Sequence, residues 1–226
     1  MFKLIKINIA LAILLFMSSS AFGWVQTPGA ARDVTDGWVI GTGTVSGGYK
    51  IYRWNGAGWS QMPGGAVRIG GTYNTPWVVN NLNQIYRWNG SGWQSIPGAA
   101  KDVADGWVLG TDTTGGGYGI YRWNGTSWNH MPGGAVRIGG TYSTPWVVNN
   151  LNQIYRWNGS GWQLMPGAGK DIADGWVIGT GAESGGYGIY RWNGTGWTKI
   201  PGGATSIGTA GGTPWIVNST KKIYRY

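Results

Sequence analysis

Residues 51–56 read Ile-Tyr-Arg-Trp-Asn-Gly, and this phrase returns along the 226-residue chain at intervals of 34 or 35 residues. Its full copies start at Ile51, Ile85, Ile120, Ile154 and Ile189, and a shortened copy, Ile-Tyr-Arg-Tyr, starts at Ile223. A second phrase, Trp-x-x-x-Pro-Gly, has the same period and starts at Trp24, Trp59, Trp93, Trp128, Trp162 and Trp197. A unit this short cannot bury its hydrophobic residues alone, so neighbouring units must stack on one another.

Each repeat is predicted to form four short β-strands, because β-branched and aromatic runs are bounded by Gly, Pro and Asn. In the second repeat these strands are expected at 66–69, 77–80, 84–88 and 92–96. Asn-Gly pairs between the third and fourth strands predict tight hairpins, since both residues tolerate positive φ. The 44 glycines and the lack of a 3.6-residue period exclude paired helices.

We therefore predict an all-β fold, a six-bladed β-propeller of four-stranded antiparallel blades. The repeats are out of phase with the chain ends by half a unit. The segment from Trp24 is therefore expected to pair with the C-terminal strand at 222–226 and to close the ring. A β-helix is the alternative architecture, but it would leave these two half-repeats unpaired at opposite ends.

Residues 1–23 are predicted to be a secretory signal peptide, because two lysines precede an apolar stretch at 7–17 and small residues follow it. Cleavage is expected before Trp24, with cleavage after Ala21 as the alternative. The apolar stretch is too short to span a bilayer. We expect a secreted or periplasmic protein whose residues 24–226 form a single domain and a monomer.

The composition argues against an enzyme, a cofactor and a metal centre. The chain has no cysteine and one histidine, His130. It therefore does not contain the ligands expected for a transition-metal site or the Ser-His pair expected for nucleophilic catalysis. Asp33 with Asp36 is a carboxylate pair that recurs in the third and fifth repeats, beside Gly-Trp turns. This position favours turn chemistry over glycoside hydrolysis or calcium binding, which are the alternatives.

The chain is basic, with 17 Lys and Arg against 8 Asp and Glu. Six of these cations are the Arg of the repeated Ile-Tyr-Arg phrase. Because they recur once in each repeat, we expect them to be evenly distributed structural residues that do not form a single basic patch. Nucleic-acid binding is therefore not expected. Attraction to anionic glycans or lipopolysaccharide remains an open alternative.

The repeats alternate in their loops, so that the true unit is a module of two blades. Residues 67–108 and 136–177 are nearly identical. Odd repeats carry a long second loop, 41–49 in the first repeat, and even repeats carry a long first loop, 70–76 in the second. Ligand sites are therefore expected in threes.

Ionisable residues alternate along the first strands of successive repeats. They are Asp33, Arg68, Asp102, Arg137 and Asp171, with Ser206 in the sixth place. On a ring this alternation is expected to put each Asp between two Arg neighbours near the central channel. We predict a structural belt of ion pairs, with an anion-binding or sugar-binding channel as the alternative.

The pairing of Ile-Tyr-Arg with Trp-x-x-x-Pro-Gly, preceded by Pro-Trp-Val-Val-Asn, resembles the tectonin repeat. The resemblance covers the whole chain after the leader. Tectonin proteins are six-bladed propellers, and secreted members, which include tachylectin-type and fish-egg lectins, bind carbohydrates and bacterial lipopolysaccharide without catalysis. The resemblance thus implies a secreted lectin without naming its sugar.

Sugars bind by stacking on aromatic rings and by planar hydrogen bonds, so the candidate residues are Tyr and Asn on the exposed loops that recur in each module. We predict a carbohydrate site in which a Tyr from an odd blade meets Asn residues from an even blade. The candidate residues are Tyr49, Tyr118, Tyr187, Asn80, Asn81, Asn149, Asn150 and Asn218. The predicted partners are surface glycans or lipopolysaccharide, and the alternative function is a propeller scaffold for protein partners.

Overall fold

The computed structural model describes residues 23–226, and these residues form only β-strands and the turns between them. The predicted signal peptide lies outside the described residues, except for Gly23. No helix within residues 23–226 has the length and apolar character needed to cross a membrane.

The first half of the described chain contains twelve strands. They are β1 (Val25–Thr35), β2 (Trp38–Val45), β3 (Gly48–Trp54), β4 (Trp59–Ala66), β5 (Arg68–Gly71), β6 (Pro76–Val79), β7 (Gln84–Trp88), β8 (Trp93–Ala99), β9 (Asp102–Val103), β10 (Trp107–Thr114), β11 (Gly117–Trp123) and β12 (Trp128–Ala135). The second half contains ten. They are β13 (Arg137–Gly140), β14 (Pro145–Val148), β15 (Gln153–Trp157), β16 (Trp162–Ala173), β17 (Trp176–Glu183), β18 (Gly186–Trp192), β19 (Trp197–Ala204), β20 (Ser206–Gly208), β21 (Trp215–Val217) and β22 (Lys222–Arg225).

The strands form repeated four-stranded antiparallel blades. Two blades are separate sheets, β5–β8 and β9–β12, while two seven-stranded sheets each contain one long strand shared between neighbours, β1 in one and β16 in the other. The first part of β1 pairs with β22, and its second part pairs with β2. This pairing of the N-terminal strand with the C-terminal strand is the one that the half-repeat offset predicts.

Strand bounds differ from the sequence prediction where glycine lies inside a strand. The predicted loop 41–49 is mostly paired, because β2 continues to Val45, β3 begins at Gly48, and Thr44 pairs with Tyr49 across a register shift. Gly47 and Gly48, with φ of 88° and 135°, form the tight turn that lets both strands extend. The feature is a projecting hairpin, not an irregular loop.

The hydrophobic core lies between neighbouring blades. In one buried cluster, Trp38, Ile40 and Ile51 of one blade pack against Ile69 and other apolar side chains of the next. Equivalent clusters repeat at the other blade junctions of the described chain. Large aromatic side chains bury the most area at such wedge-shaped junctions, which explains the tryptophan content.

Two contacts fix how closely the blades approach. On the inner side, a Cβ on Gly70 would overlap the carbonyl oxygen of Val103 in the next blade, so only glycine fits there. On the outer side, the indole N–H of Trp59 donates to the carbonyl of Pro28, and four later copies of the Trp-x-x-x-Pro-Gly phrase repeat this bond. The outer hydrogen bond therefore recurs at five blade junctions, whereas the sixth indole, that of Trp24, has no such partner.

Candidate functional site

Three surface grooves of similar construction occur at equivalent blade junctions, which recur with the two-repeat period of the sequence. Each lies between the turn of the projecting hairpin in one blade and the loop before the third strand of the next. Their volumes are about 340 Å³ for groove 1, about 200 Å³ for groove 2 and about 340 Å³ for groove 3. Their polar and aromatic lining residues include Asn80, Gln84, Tyr86 and Trp93 in groove 1, Asn149, Tyr155 and Trp162 in groove 2, and Asn218, Tyr224 and Trp24 in groove 3.

A backbone hydrogen bond holds the two walls of each groove together. In groove 1 the N–H of Asn81 donates to the carbonyl of Gly47 at 2.9 Å. The N–H groups of Asn150 and Ser219 make the same bond in grooves 2 and 3, both at 2.8 Å. The grooves are therefore built features of the blade junctions and not accidental gaps between side chains.

The aromatic floor of groove 1 consists of Tyr86 and Trp93. The indole N–H of Trp93 donates to the carbonyl of Pro63 at 2.9 Å, which fixes the orientation of the ring. Gly64 lies against this indole with φ of 81°, a conformation that favours glycine, and a Cβ there would lie 3.6 Å from the ring. Half-buried Tyr and Trp side chains offer ring faces suited to stacking.

The Asn side chain of each groove organises its loop. The side-chain oxygen of buried Asn80 accepts from the backbone N–H groups of Leu82 at 3.0 Å and Gln84 at 2.9 Å. Its Nδ2 donates to Oε1 of Gln84 at 2.7 Å, and the Tyr86 hydroxyl donates to the same oxygen at 3.3 Å. Asn149 repeats this network in groove 2. The amide network thus positions the tyrosine that lines the groove.

The structure brings only part of the predicted site together. Asn80, Asn149 and Asn218 line the grooves, whereas Asn81 and Asn150 lie exposed at the rim and contribute their backbone N–H groups.

The predicted tyrosines Tyr49, Tyr118 and Tyr187 do not line these grooves. They are half-buried against the apolar clusters, with Arg32 4.2 Å from the ring centroid of Tyr49 and Lys170 4.9 Å from that of Tyr187.

Sequence reasoning missed Tyr86 and Trp93 and their copies, because both residues belong to the phrases that were assigned to packing. The alternation of side chains within Ile-Tyr-Arg could have indicated that the tyrosine is accessible. Ile85 faces the core, so Tyr86 must face the opposite side of the strand.

The central channel contains the expected ion pairs at two of its three modules. Arg68 lies 3.9 Å from both Asp33 and Asp102, and Arg137 lies 3.8 Å from Asp171. Each carboxylate also accepts a backbone N–H from the next inner strand, for example Ile69 N–H to Asp33 at 3.1 Å.

The third module lacks this arginine, and the Ser206 hydroxyl donates to Asp33 at 2.8 Å instead. Burial raises the pKa of Asp171 to about 7, and the attraction of Arg137 offsets only part of this effect. The channel carries an excess of carboxylates on the side of the third module.

Five of the six repeated Arg residues lie over a tryptophan ring of the same blade, and the sixth, Arg225, lies over Trp54 at 5.8 Å. The guanidinium carbons of Arg53, Arg87 and Arg122 lie 5.4–5.5 Å from the indole centroids of Trp38, Trp77 and Trp107. This stacking is the structural role that their even spacing predicts. Within residues 23–226, no group of three or more His, Cys, Asp or Glu side chains has the arrangement of a metal site.

No protein-family model matches the sequence, and no curated protein matches it. Among solved structures, the chain is similar to YCF48 bound to D1 peptide, with 13% identity, a TM-score of 0.51 and coverage of 93% of this chain and 96% of that one. YCF48 from Cyanidioschyzon merolae is 13% identical with a TM-score of 0.47, covering 90% and 98% of the two chains. The WD40 repeats of RRP9 are 11% identical with a TM-score of 0.48, covering 78% and 72%.

The similarity to YCF48 at a TM-score of 0.51, together with the repeated four-stranded blades, shows that the chain has a β-propeller fold. At this level of identity they describe the fold and leave the ligand open.

Proposed function

We propose that the chain is a six-bladed propeller of the tectonin type. Dividing each seven-stranded sheet at its shared strand, β1 or β16, gives six groups of four strands, which supports this count. The six copies of each sequence phrase agree with it.

The proposed function is carbohydrate binding by a secreted or periplasmic, non-catalytic lectin that recognises surface glycans or lipopolysaccharide. The observation that carries this proposal is the threefold groove with Tyr, Trp and amide groups on its walls. Aromatic faces stack on sugar rings, and convergent polar groups select hydroxyl positions. Volumes of about 200–340 Å³ suit one or two sugar rings.

Three grooves on one rigid body favour binding to surfaces with many copies of a glycan. Linked sites raise the apparent affinity by roughly a hundredfold or more when their spacing matches that of the ligands. Shallow grooves of modest individual affinity are therefore sufficient for firm attachment to a cell surface.

The test is a glycan array followed by calorimetry with the strongest monosaccharide. A variant with Tyr86, Tyr155 and Tyr224 all changed to Ala should lose glycan binding while keeping its circular dichroism spectrum. The comparison variant replaces Tyr49, Tyr118 and Tyr187, and we expect it to keep glycan binding and to lose stability. The reverse pattern would move the site to the projecting hairpins. Silence of the parent protein on the array would overturn the lectin proposal.

A peptide-binding scaffold is the second candidate, since the similar YCF48 structure has a peptide bound. The two candidate functions differ in whether free sugar displaces the bound partner. A protein captured from culture that free sugar does not displace, together with a silent array, would favour the scaffold.

A further inference from the structure

The three grooves share their backbone hydrogen bond, and the loops at 80–84 and 149–153 are identical, whereas the loop at 218–222 of groove 3 reads Asn-Ser-Thr-Lys-Lys and keeps only the first residue. Gln84 in groove 1 and Gln153 in groove 2 begin the third strand of their blades, and Lys222 stands in this place in groove 3. The strand register supports the equivalence, because Val79 pairs with Ile85 and Val217 pairs with Ile223. The loop geometry is also kept, since Asn218 accepts from the Lys222 N–H at 2.9 Å, as Asn80 does from Gln84.

The substitution removes a hydrogen-bond acceptor and adds a cation. In grooves 1 and 2, Oε1 of Gln84 or Gln153 accepts from both the adjacent Asn and the groove tyrosine. An ammonium group has no acceptor, so Lys222 cannot hold Tyr224 in this way. The Tyr224 hydroxyl is consequently available to a ligand in groove 3.

The strand pattern puts Lys222 beside groove 3, at the position that Gln84 occupies in the lining of groove 1. Alternate residues of a strand share a face, so Lys222 lies on the same face of β22 as Tyr224, which lines groove 3. Lys222 is exposed and makes no ion pair with a carboxylate of residues 23–226. Glu183, which precedes the lining residue Ser184, is paired with Lys199.

We propose that groove 3 is selective for a sugar that carries an anionic group, a carboxylate or a phosphate, whereas grooves 1 and 2 take neutral sugars. The Lys222 ammonium forms the charged hydrogen bond to the anion, and the Tyr224 hydroxyl donates a second bond. Charge-assisted bonds are shorter and stronger than neutral ones. This inference rests on the proposed carbohydrate function and assigns one groove a different ligand class.

The experiment exchanges the residues between grooves. The full protein and two variants, Lys222→Gln and Gln84→Lys, are titrated calorimetrically with glucose and galactose, with their uronic acids and with their 6-phosphates. The uronic acids and the phosphates separate the two sources of negative charge. The expected stoichiometry of the parent is two neutral-sugar sites and one anionic-sugar site.

We expect Lys222→Gln to weaken anionic-sugar binding by about tenfold and to raise the neutral sites to three, as expected for loss of one charge-assisted bond. Gln84→Lys should raise the anionic sites to two. Raising the salt concentration should weaken only the anionic class.

Unchanged anionic-sugar affinity in Lys222→Gln, or equal anionic binding at all three grooves, would overturn this inference and leave the lectin proposal intact. If neither neutral nor anionic sugars bind, both this inference and the lectin proposal are overturned.

Discussion

The missing arginine of the central channel leads to a prediction about stability. Ser206 occupies the place that Arg68 and Arg137 hold in the other two modules, and its backbone has the same pairing, with Val217 in place of Val79. The change Ser206→Arg would put a guanidinium between Asp171 and Asp33, as Arg68 lies between Asp33 and Asp102. We expect this substitution to stabilise the protein, most strongly above neutral pH.

The magnitude follows from the titration of Asp171. Its pKa is raised from 3.8 to about 7 in the folded protein, so the folded state retains a proton that the unfolded state releases. The free energy of unfolding of the parent therefore falls as the pH rises from about 4 to about 7, and it levels off above this range. A guanidinium that lowers the folded pKa of Asp171 by one to two units recovers about 1.4–2.8 kcal/mol at pH 8.

Loss of the Ser206 hydrogen bond to Asp33 offsets about 1 kcal/mol of this gain. The remainder, about 0.4–1.8 kcal/mol, corresponds to an increase of about 1–7 °C in melting temperature for a domain of this size.

The assay is thermal unfolding between pH 4.5 and pH 8.5, followed by near-UV circular dichroism. The parent should melt at a lower temperature at pH 8 than at pH 5, and Ser206→Arg should flatten this slope. Arg68→Ser, the reverse change in the first module, should steepen it. A gain that is equal at pH 5 and pH 8, or a parent without the slope, would refute the raised pKa of the buried Asp171, whose single arginine neighbour offsets only part of the effect of burial.

Three further predictions concern stability. Deleting residues 24–29 from the mature protein should lower the melting temperature and cause aggregation, because the edge of β22 loses its partner; a truncated protein that melts like the parent would contradict the closure. Asn80→Ala should cost on the order of 2 kcal/mol in urea unfolding, because two part-buried hydrogen bonds from backbone N–H groups lose their acceptor; unchanged stability would show that water replaces it. Gly70→Ala should prevent folding because its Cβ overlaps a neighbouring carbonyl, whereas Gly58→Ala, with open space around it, should fold and melt normally; equal solubility of the two variants would disprove the close approach.

The architecture was largely readable from the sequence because the repeat reports the same environment several times. Each copy of Ile-Tyr-Arg is an independent observation of one strand, and the buried Ile51, Ile85 and Ile120 agree with each other. The half-repeat offset then identified the pairing of β1 with β22. The predicted strand ends were less accurate, because glycine occurs equally in turns, in bulges and at close contacts.

The grooves were harder to predict than the fold. A strand pattern gives two faces, but the twist of the blade decides which part of the outward face meets the next blade. Tyr49 and Tyr86 both lie in the third strand of their blades, yet Tyr49 packs under Arg32 while Tyr86 lines a groove. This difference depends on the distances between neighbouring blades, which cannot be read from the sequence of a single repeat.

The pairing of β1 with β22 has a consequence for the order of events during synthesis. The Thr27 hydroxyl donates to the carbonyl of Ile223, a residue 196 positions later in the chain. The first strand must therefore wait, without its final partner, until almost the whole chain has been made, while the intervening blades form from local hairpins. Contacts between such distant residues form late and slow the last step of folding. During this interval the open ring presents two unpaired strand edges. Domain swapping, in which β1 of one chain pairs with β22 of another, is therefore the misfolding event that we expect.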